Sequence, residues 1–520
     1  MRILQNKYVL YVILFIGNII FFLLCANMFN MHYEENDDIF MCLIANGNFT
    51  GSPDCHLVFQ NALYGLIISS LYKLTSIVEW YTIVFVVIHI LSITVIVYSV
   101  LQRFNSIPLL VVVLLSIYSI WCVTIQSFQF TTTAGLACVA GYILLLSKSQ
   151  HILYVGYFAV FIASLIRFEV VVLVGLLFLP LIILIYRRDV KRYLYIIGVI
   201  AIVLIPKAID KLFYQTVEWS NYCEYNALRG KVNDNPNVGA IDLADIESIG
   251  INKRDYVMLC DFMIDPHTIT LPILKQIVNK LYDVPLSFRI CNIKQLVQYR
   301  IPIILIFVVI VSLVFVTKSK FDKMILILWF FWFVTILSGL CLDHNLKNRV
   351  FLCSLLAMLV FLSFTFDKIT LKPWLSIVLV VCQLGIGVKY FYQCYKTSDI
   401  KDRKYNVWYE QQNPLIKNIP SNAYLLALSE LNVVSISPFD VKSFQTKIYP
   451  IGWLTAIPLI NTIGSSFSDI VDSNVYILIH NEDNVAGLTN YLNSKYNKCA
   501  IPNIVAKNEQ YSIIQYYDTY

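Results

Sequence analysis

Residues 32–40 read HYEENDDIF, and four carboxylates, Glu34, Glu35, Asp37 and Asp38, fall directly after the first long apolar run of the chain. In a helix, Glu34 and Asp38 share a face at i,i+4, and Glu35 and Asp38 share one at i,i+3. A carboxylate at a membrane edge can act as general base toward an incoming hydroxyl. A pair such as Asp37 and Asp38 can also hold a divalent cation, magnesium or manganese, against a phosphate. The same groups equally suit a solvated loop that ends a helix. The stretch that follows, NGNFTGSPD (46–54), is dense in turn formers, so the acidic segment is expected to be held in shape.

Cations recur at comparable positions. LIRFEVVVL places Arg167 and Glu169 between two apolar runs, and DHNLKNRVF places His344, Lys347 and Arg349 between two others. Lys207 and Lys211 close a further apolar run, and CEYNALRGKVNDNP groups Arg229, Lys231 and Asp234 in a turn-rich stretch. Taken singly, each is accounted for by snorkelling, a structural ion pair or a helix end. Taken together, and close to an acidic segment, they suit a phosphate-bearing lipid headgroup, for which arginine is a bidentate partner.

The elements that must position these groups are membrane spans. Of 520 residues, 58% are hydrophobic and 14% charged, whereas soluble domains carry about 25% charge. Apolar runs predict spans at roughly 8–29, 81–102, 107–125, 130–147, 151–166, 170–186, 194–213, 301–317, 324–342, 350–366 and 373–393, about eleven in all. The first is read as a retained span, since no small-residue cleavage pattern follows it. With the N-terminus cytoplasmic beside Arg2 and Lys7, the short loops at Arg103, Lys148, Arg187–Arg192, Lys318–Lys323 and Asp367–Lys372 all fall inside. The loops at about 30–80 and 214–300 and the tail from 395 then fall outside. Residues 1–394 are therefore expected to form the transmembrane module, and 395–520 a soluble extracytoplasmic α/β domain.

Within the first outer loop, HLVFQNALYGLIISSLYKL (56–74) reads as interfacial helix, with a true span as the alternative. In the second, KRDYVMLCDFMI and LPILKQIVNKLYDV carry helical spacing. In the tail, NAYLLALSE, NVYILIHNE and YSIIQYYD are β-prone and VAGLTNYLNSKY helix-prone. FTTTAGLACVAGY (130–142) has the small residues of a close helix–helix contact. The thirteen cysteines show no paired spacing, although Cys42 and Cys55 share an outer loop and could bridge. No G-x-S-x-G, P-loop or dinucleotide glycine pattern is present. The net charge of +6 is distributed as positive-inside bias, not as a nucleic-acid footprint.

This arrangement resembles the GT-C class of integral-membrane glycosyltransferases, which includes the protein O-mannosyltransferases and the aminoarabinose transferase of lipid A. The resemblance rests on NDDIFMCLIANGNFTGSPDCHLVFQNALYG in the first outer loop, on YNALRGKVND in the second, and on the order of spans and terminal domain. It implies a transferase that moves a sugar from a polyprenyl-phosphate donor to an envelope glycan or lipid at the outer face of a bacterial plasma membrane. It further implies Asp38 as base, Asp37 as the group that orients it or binds metal, and Glu35 as a third candidate. The chain departs from better-known members in having Asn36 inside the cluster and Asp-Asp in place of Asp-Glu. Arg167, Lys207, Arg229, Lys347 and Arg349 are assigned to the phosphate from position alone. An O-antigen-polymerase-like enzyme would rely on outer-loop arginines instead. A transporter or flippase would carry mid-span charge and internal symmetry, neither of which is evident.

Overall fold

The computed structural model describes residues 6–103, 106–147, 149–186, 193–316, 320–365, 373–428, 431–460, 463–471, 474–483 and 485–519. Lys148, Arg187–Arg192, Lys318 and Asp367–Lys372, on which part of the predicted charge bias falls, lie outside them.

The chain is an α-helical polytopic membrane protein with a sheet-bearing C-terminal region. A helix occupies each position expected of a span. They are α1 (Lys7–Met28), α4 (Trp80–Leu101), α5 (Ile107–Gln126), α6 (Phe130–Leu145), α7 (Gln150–Ile166), α8 (Phe168–Tyr186), α9 (Tyr193–Phe213), α15 (Arg300–Val316), α16 (Lys320–Asp343), α17 (Asn348–Thr365) and α18 (Pro373–Val407). Among the described residues, Lys7–Met28, Trp80–Leu101, Ile107–Gln126 and Lys323–Asp343 are long and apolar enough to cross a membrane, and five further apolar helices are shorter. The connection between α1 and α4, expected as the first outer loop, contains α2 (Asn36–Asn46) and α3 (Ala62–Leu74). At 13 residues, α3 spans about 20 Å, too short to cross. The second holds α10 (Val217–Asn233), α11 (Leu243–Ser248), α12 (Lys253–Cys260), α13 (Leu271–Asp283) and α14 (Leu286–Ile290).

A two-stranded parallel pairing fixes where the acidic segment lies. Strand β1 (His32–Tyr33), just past α1, pairs with β2 (Ser127–Phe128) between α5 and α6. The Glu34 amide extends the pairing by donating to the Phe128 carbonyl at 3.0 Å. Helix α2 therefore starts beside the N-terminus of α6. It ends at Gly47, whose φ of +89° suits glycine and where a Cβ would lie 2.7 Å from the Pro53 nitrogen. The small residues predicted to pack closely do so: α6 is buried along nearly its whole length.

Helix α18 is longer than its apolar run suggests. It continues beyond residue 394 to Val407 as a polar helix, and near its end Asp402 accepts from Asn30 at 2.5 Å. After α19 (Asn413–Ile416) comes a five-stranded sheet in the order β4-β3-β5-β7-β6. Its strands are β3 (Tyr424–Ala427), β4 (Lys447–Ile448), β5 (Val475–His480), β6 (Ala500–Lys507) and β7 (Tyr511–Asp518), with α20 (Ala486–Tyr496) between β5 and β6. The β3 strand runs parallel to β4 and β5, and β7 is antiparallel to both its neighbours. The connection between α9 and α15, expected as the second outer loop, is fastened to this unit. Buried Asp265 accepts from Tyr491 at 3.0 Å and also from Tyr496, and Lys495 pairs with buried Asp255 at 3.2 Å. Cys42 and Cys55 are not bridged. Cys42 is buried beside the Tyr72 hydroxyl at 3.5 Å, and Cys55 lies beside His56.

Candidate active site

A cavity of about 1580 Å³ lies at the meeting point of the α1–α4 connection, the N-terminal ends of α8 and α17, the C-terminal end of α9, the start of the α9–α15 connection and the C-terminal unit. Glu35 and Asp37 line it, and so do all five predicted cations, Arg167, Lys207, Arg229, Lys347 and Arg349. Asp38 does not. One residue along α2 turns a side chain by about 100°, and that rotation sends Asp37 and Asp38 into different surroundings.

Asp37 is half-buried on the cavity wall. Burial pushes its carboxyl up to about 6, with Arg349, Arg229 and Arg167 acting through space in the opposite direction. Asp38 is fully buried. Its Oδ1 accepts from the Tyr81 hydroxyl at 3.0 Å and from the Phe130 amide, the first of α6, at 3.2 Å. Its Oδ2 has no hydrogen-bond partner among the described residues. Burial raises the Asp38 carboxyl well above the usual carboxylate range, against the opposing effect of the Tyr81 hydrogen bond. Asp38 thus ties α2 to α4 and to the N-terminus of α6, while Asp37 meets whatever the cavity holds.

The cations have distinct fastenings. Arg349 pairs with Glu35 at 3.2 Å and Glu34 at 3.5 Å, which puts a guanidinium beside the acidic segment. Burial raises the Glu34 carboxyl, and Arg349 opposes the rise. Arg167 caps the α7–α8 turn. It pairs with Glu169 at 3.0 Å, donates to the Phe59 carbonyl at 3.3 Å and lies over the Phe130 ring at 5.3 Å. Arg229 is buried and held by Asn226 at 2.9 Å and Asn233 at 3.3 Å. Burial lowers its affinity for its proton, with Asp234 opposing. Lys207 pairs with Asp210 at 3.7 Å. Lys347 is exposed to the cavity.

Several contributors were not singled out from sequence. Asp210 accepts from the first amide of α3, that of Ala62, at 2.8 Å, and Asn61 bonds the Pro206 carbonyl at 2.9 Å, so α3 is bolted to the outer end of α9. A signal existed for Asp210, since it stands three residues after Lys207 at the end of an apolar run. Lys401 and Lys404 of the α18 extension also line the cavity. Asn432, Ser435 and Trp453 of the C-terminal unit form its roof, and the Trp453 ring packs on Phe59 at 5.0 Å. No local feature of the sequence announces that contact.

The donor set at Asp37 suits a divalent cation poorly. Glu34 and Glu35 already serve Arg349, Asp38 turns away, and the surrounding cations oppose a further positive charge. Among the described residues one group of three metal-capable side chains lies together, Asp54, Cys55 and His56, with ligand atoms within 4.8 Å of one another. There Asp54 accepts from His56 at 2.7 Å, and the imidazole stacks on Trp219 at 4.3 Å.

No protein-family model matches the chain. No curated protein matches it either. Among solved structures, the chain aligns with ArnT from Cupriavidus metallidurans bound to undecaprenyl phosphate over 97% of both chains, at 11% identity and a TM-score of 0.43. The apo state of the same protein aligns over the same shares, at 11% identity and a TM-score of 0.42.

Proposed function

We propose that the chain is a membrane glycosyltransferase that moves a sugar from a polyprenyl-phosphate donor to a hydroxyl of a cell-envelope glycan or lipid. The observation that carries this reading is the large cavity that Asp37 lines together with Arg349, Arg229, Arg167, Lys207 and Lys347. Such a site has one group able to take a proton and several able to hold a phosphate. The donor class is the one implied by the resemblance of the first outer loop to GT-C enzymes.

In this reading Asp37, rather than Asp38, is the base. Ionised Asp37 takes the proton of the acceptor hydroxyl as its oxygen attacks the anomeric carbon. The bond from that carbon to the phosphate oxygen breaks, and the polyprenyl phosphate leaves with the bonding pair. Arg349, Arg229, Arg167, Lys207 and Lys347 offset the charge on the departing phosphate. Glu35 acts through Arg349, which it holds in place. Asp38 positions α2. The cavity and the terminal unit face outside and the N-terminus faces the cytoplasm of a bacterial cell, as the charge bias of the short loops requires. Residues 1–394, with the α18 extension, supply the base and cations, and the C-terminal unit supplies the roof.

The test is transfer from polyprenyl-phosphate sugars to envelope acceptors in membranes carrying wild type, Asp37→Asn or Asp38→Asn at matched protein levels. Loss in Asp37→Asn with substantial retention in Asp38→Asn is expected. Equal transfer by wild type and Asp37→Asn sinks the assignment.

A further inference from the structure

Three thiols that the transfer reaction does not use lie together where α1, α5 and α18 meet. Cys25 stands in the last turn of α1, Cys122 one turn before the end of α5, and Cys394 within α18. The Cys25 thiol donates to the Cys122 sulfur at 3.8 Å. Cys122 is also in side-chain hydrogen-bond contact with Cys394. Cys25 and Cys394 are buried, Cys122 is half-buried, and none of the three is bridged. The helices are fastened beside the thiols. Gln126, one turn beyond Cys122, donates its side-chain amide to the Cys394 carbonyl, and Phe29, one turn beyond Cys25, meets the Phe391 ring at 5.1 Å. Each helix then leads into the site. Strand β1 begins seven residues after Cys25 and its partner β2 five residues after Cys122, while Lys401, on the cavity wall, stands seven residues after Cys394. The hydrogen bond from Asn30 to Asp402 lays the α18 extension against the chain just before β1.

We propose that the three thiols are an oxidation site in which Cys122 bridges to either Cys25 or Cys394, and that the second bridge restrains the α18 extension with its cavity residues Lys401 and Lys404. Cys122 has one sulfur, so the two bridges exclude each other. Cys122, the half-buried thiol, loses its proton and attacks an external disulfide; one reagent thiolate leaves and a mixed disulfide remains. Cys25 or Cys394 then loses its proton, attacks the Cys122 sulfur and expels the second reagent thiolate. In sum two protein thiols give up two electrons and two protons, and the reagent disulfide becomes two thiols. The third protein thiol lies beside the finished bridge. By attacking Cys122 it passes the bond between α1 and α18 without further oxidant. Little motion is needed, since the Cys25 and Cys122 sulfurs close from 3.8 Å to about 2.05 Å. On the orientation given under Proposed function, this end of the bundle lies at the outer face, where disulfide oxidants are met. The bridge itself is independent of the donor reading; its effect on transfer rests on that reading.

The experiment uses the full chain in nanodiscs, reduced or treated with dithiodipyridine, a membrane-permeant aromatic disulfide, and compares wild type, Cys25→Ser and Cys122→Ser. Peptide maps of the oxidised wild type should join Cys122 to Cys25 in some molecules and to Cys394 in others. Cys25→Ser should retain the α5–α18 bridge alone, and Cys122→Ser should form neither. In oxidised Cys25→Ser, hydrogen exchange across 395–407 should slow on the order of tenfold. Transfer should fall about tenfold, because the extension that lines the cavity can no longer adjust to substrate. Dithiothreitol should reverse both effects. Cys122→Ser should keep its basal transfer and respond to neither reagent. A map that joins Cys122 to neither partner, equal slowing in Cys122→Ser, or a bridge that leaves exchange across 395–407 unchanged overturns the proposal. A bridge that slows exchange without altering transfer overturns its hold on the site. If no form of the protein transfers sugar, the donor reading falls, and the map and the exchange rates still decide whether the thiols bridge and restrain α18.

Discussion

Tyr81 donates its hydroxyl hydrogen to Asp38 at 3.0 Å, in a fully buried contact between α4 and α2. The contact takes Asp38 out of the cavity and thereby fixes the rotation of α2 that points Asp37 into it. The two adjacent carboxylates therefore predict opposite phenotypes. Asp37→Asn should lower transfer by about 10²–10⁴-fold, the usual range for loss of a general base, without lowering the thermal midpoint of the detergent-solubilised protein. Asp38→Ala leaves the Tyr81 hydroxyl and the Phe130 amide without an acceptor, at about 1–3 kcal/mol for each buried group. It should therefore lower the midpoint, whereas Asp38→Asn, which keeps an acceptor oxygen, should lower it much less. A thermal shift series on the three variants, run beside the transfer assay, checks both halves.

The pH dependence follows from Asp37. Burial raises its carboxyl from the usual 3.8 to about 6, and only the ionised form accepts a proton. Transfer should rise with pH through about 6 and level off above it. The stability sign is opposite. A folded-state pKa raised above the unfolded value favours the folded protein at low pH, and that contribution is lost as pH rises from about 4 through 6. A kcat/KM profile from pH 4.5 to 8 checks the kinetic limb, which should be absent from the residual activity of Asp37→Asn.

Arg349 provides a second handle on the same limb. It pairs with Glu35 at 3.2 Å and Glu34 at 3.5 Å, and of the charges that restrain Asp37 it is the strongest. Arg349→Gln removes that restraint and leaves Glu34 and Glu35 unopposed nearby. The acid limb of the profile should move to higher pH, and KM for the phosphate-bearing donor should rise. Arg349→Lys keeps the charge but not the fork, so it should restore the limb more fully than the KM. An unmoved limb in Arg349→Gln would mean that Asp37 is not the group titrating.

How much of this was legible in the sequence differs between the helices and the site. Hydropathy placed a helix at every expected span, because a run of apolar residues in lipid must satisfy its backbone internally. β-prone runs located β3, β5 and β7, and helix-prone patterning located α12, α13 and α20. The end of α18 was hidden for a physical reason: its extension is polar and solvated, so nothing apolar marks it as helix after residue 394. The candidate cations were legible singly, since each lies where charge is costly unless it faces a cavity. The choice between Asp37 and Asp38 was not legible. It depends on Tyr81 and Phe130, 43 and 92 residues away from Asp38. The roof at Asn432, Ser435 and Trp453 was equally hidden, because it comes from the C-terminal unit, distant in sequence, which meets the cavity only in three dimensions.

How that domain is held over the cavity leads to a last prediction. Glu79 is buried at the head of α4, two residues before Tyr81. One of its oxygens accepts from the backbone amide of Lys442 at 2.8 Å, and the other accepts from the Tyr72 hydroxyl at 2.8 Å. Asn48 holds the Lys442 and Phe444 carbonyls at 3.2 and 3.1 Å, and Thr82 holds the Pro438 carbonyl at 2.5 Å. Side chains of the first outer loop and α4 thus clasp the backbone of segment 438–444 at four points. Glu79→Ala leaves the Lys442 amide without its acceptor and takes the carboxylate from the Tyr72 hydroxyl, which keeps only its contacts with Cys42 and the Tyr81 amide; at about 1–3 kcal/mol for the buried amide, the change should loosen this segment before it loosens the bundle. Hydrogen exchange should therefore quicken across 438–444 and across the roof at 431–435 and 452–454, with α5 and α6 unchanged. Because the roof is one wall of the cavity and Asp37 another, kcat should fall while the position of the acid limb stays near pH 6. A limb that moved instead would place Glu79 in the electrostatics of the base rather than in the fastening of the domain.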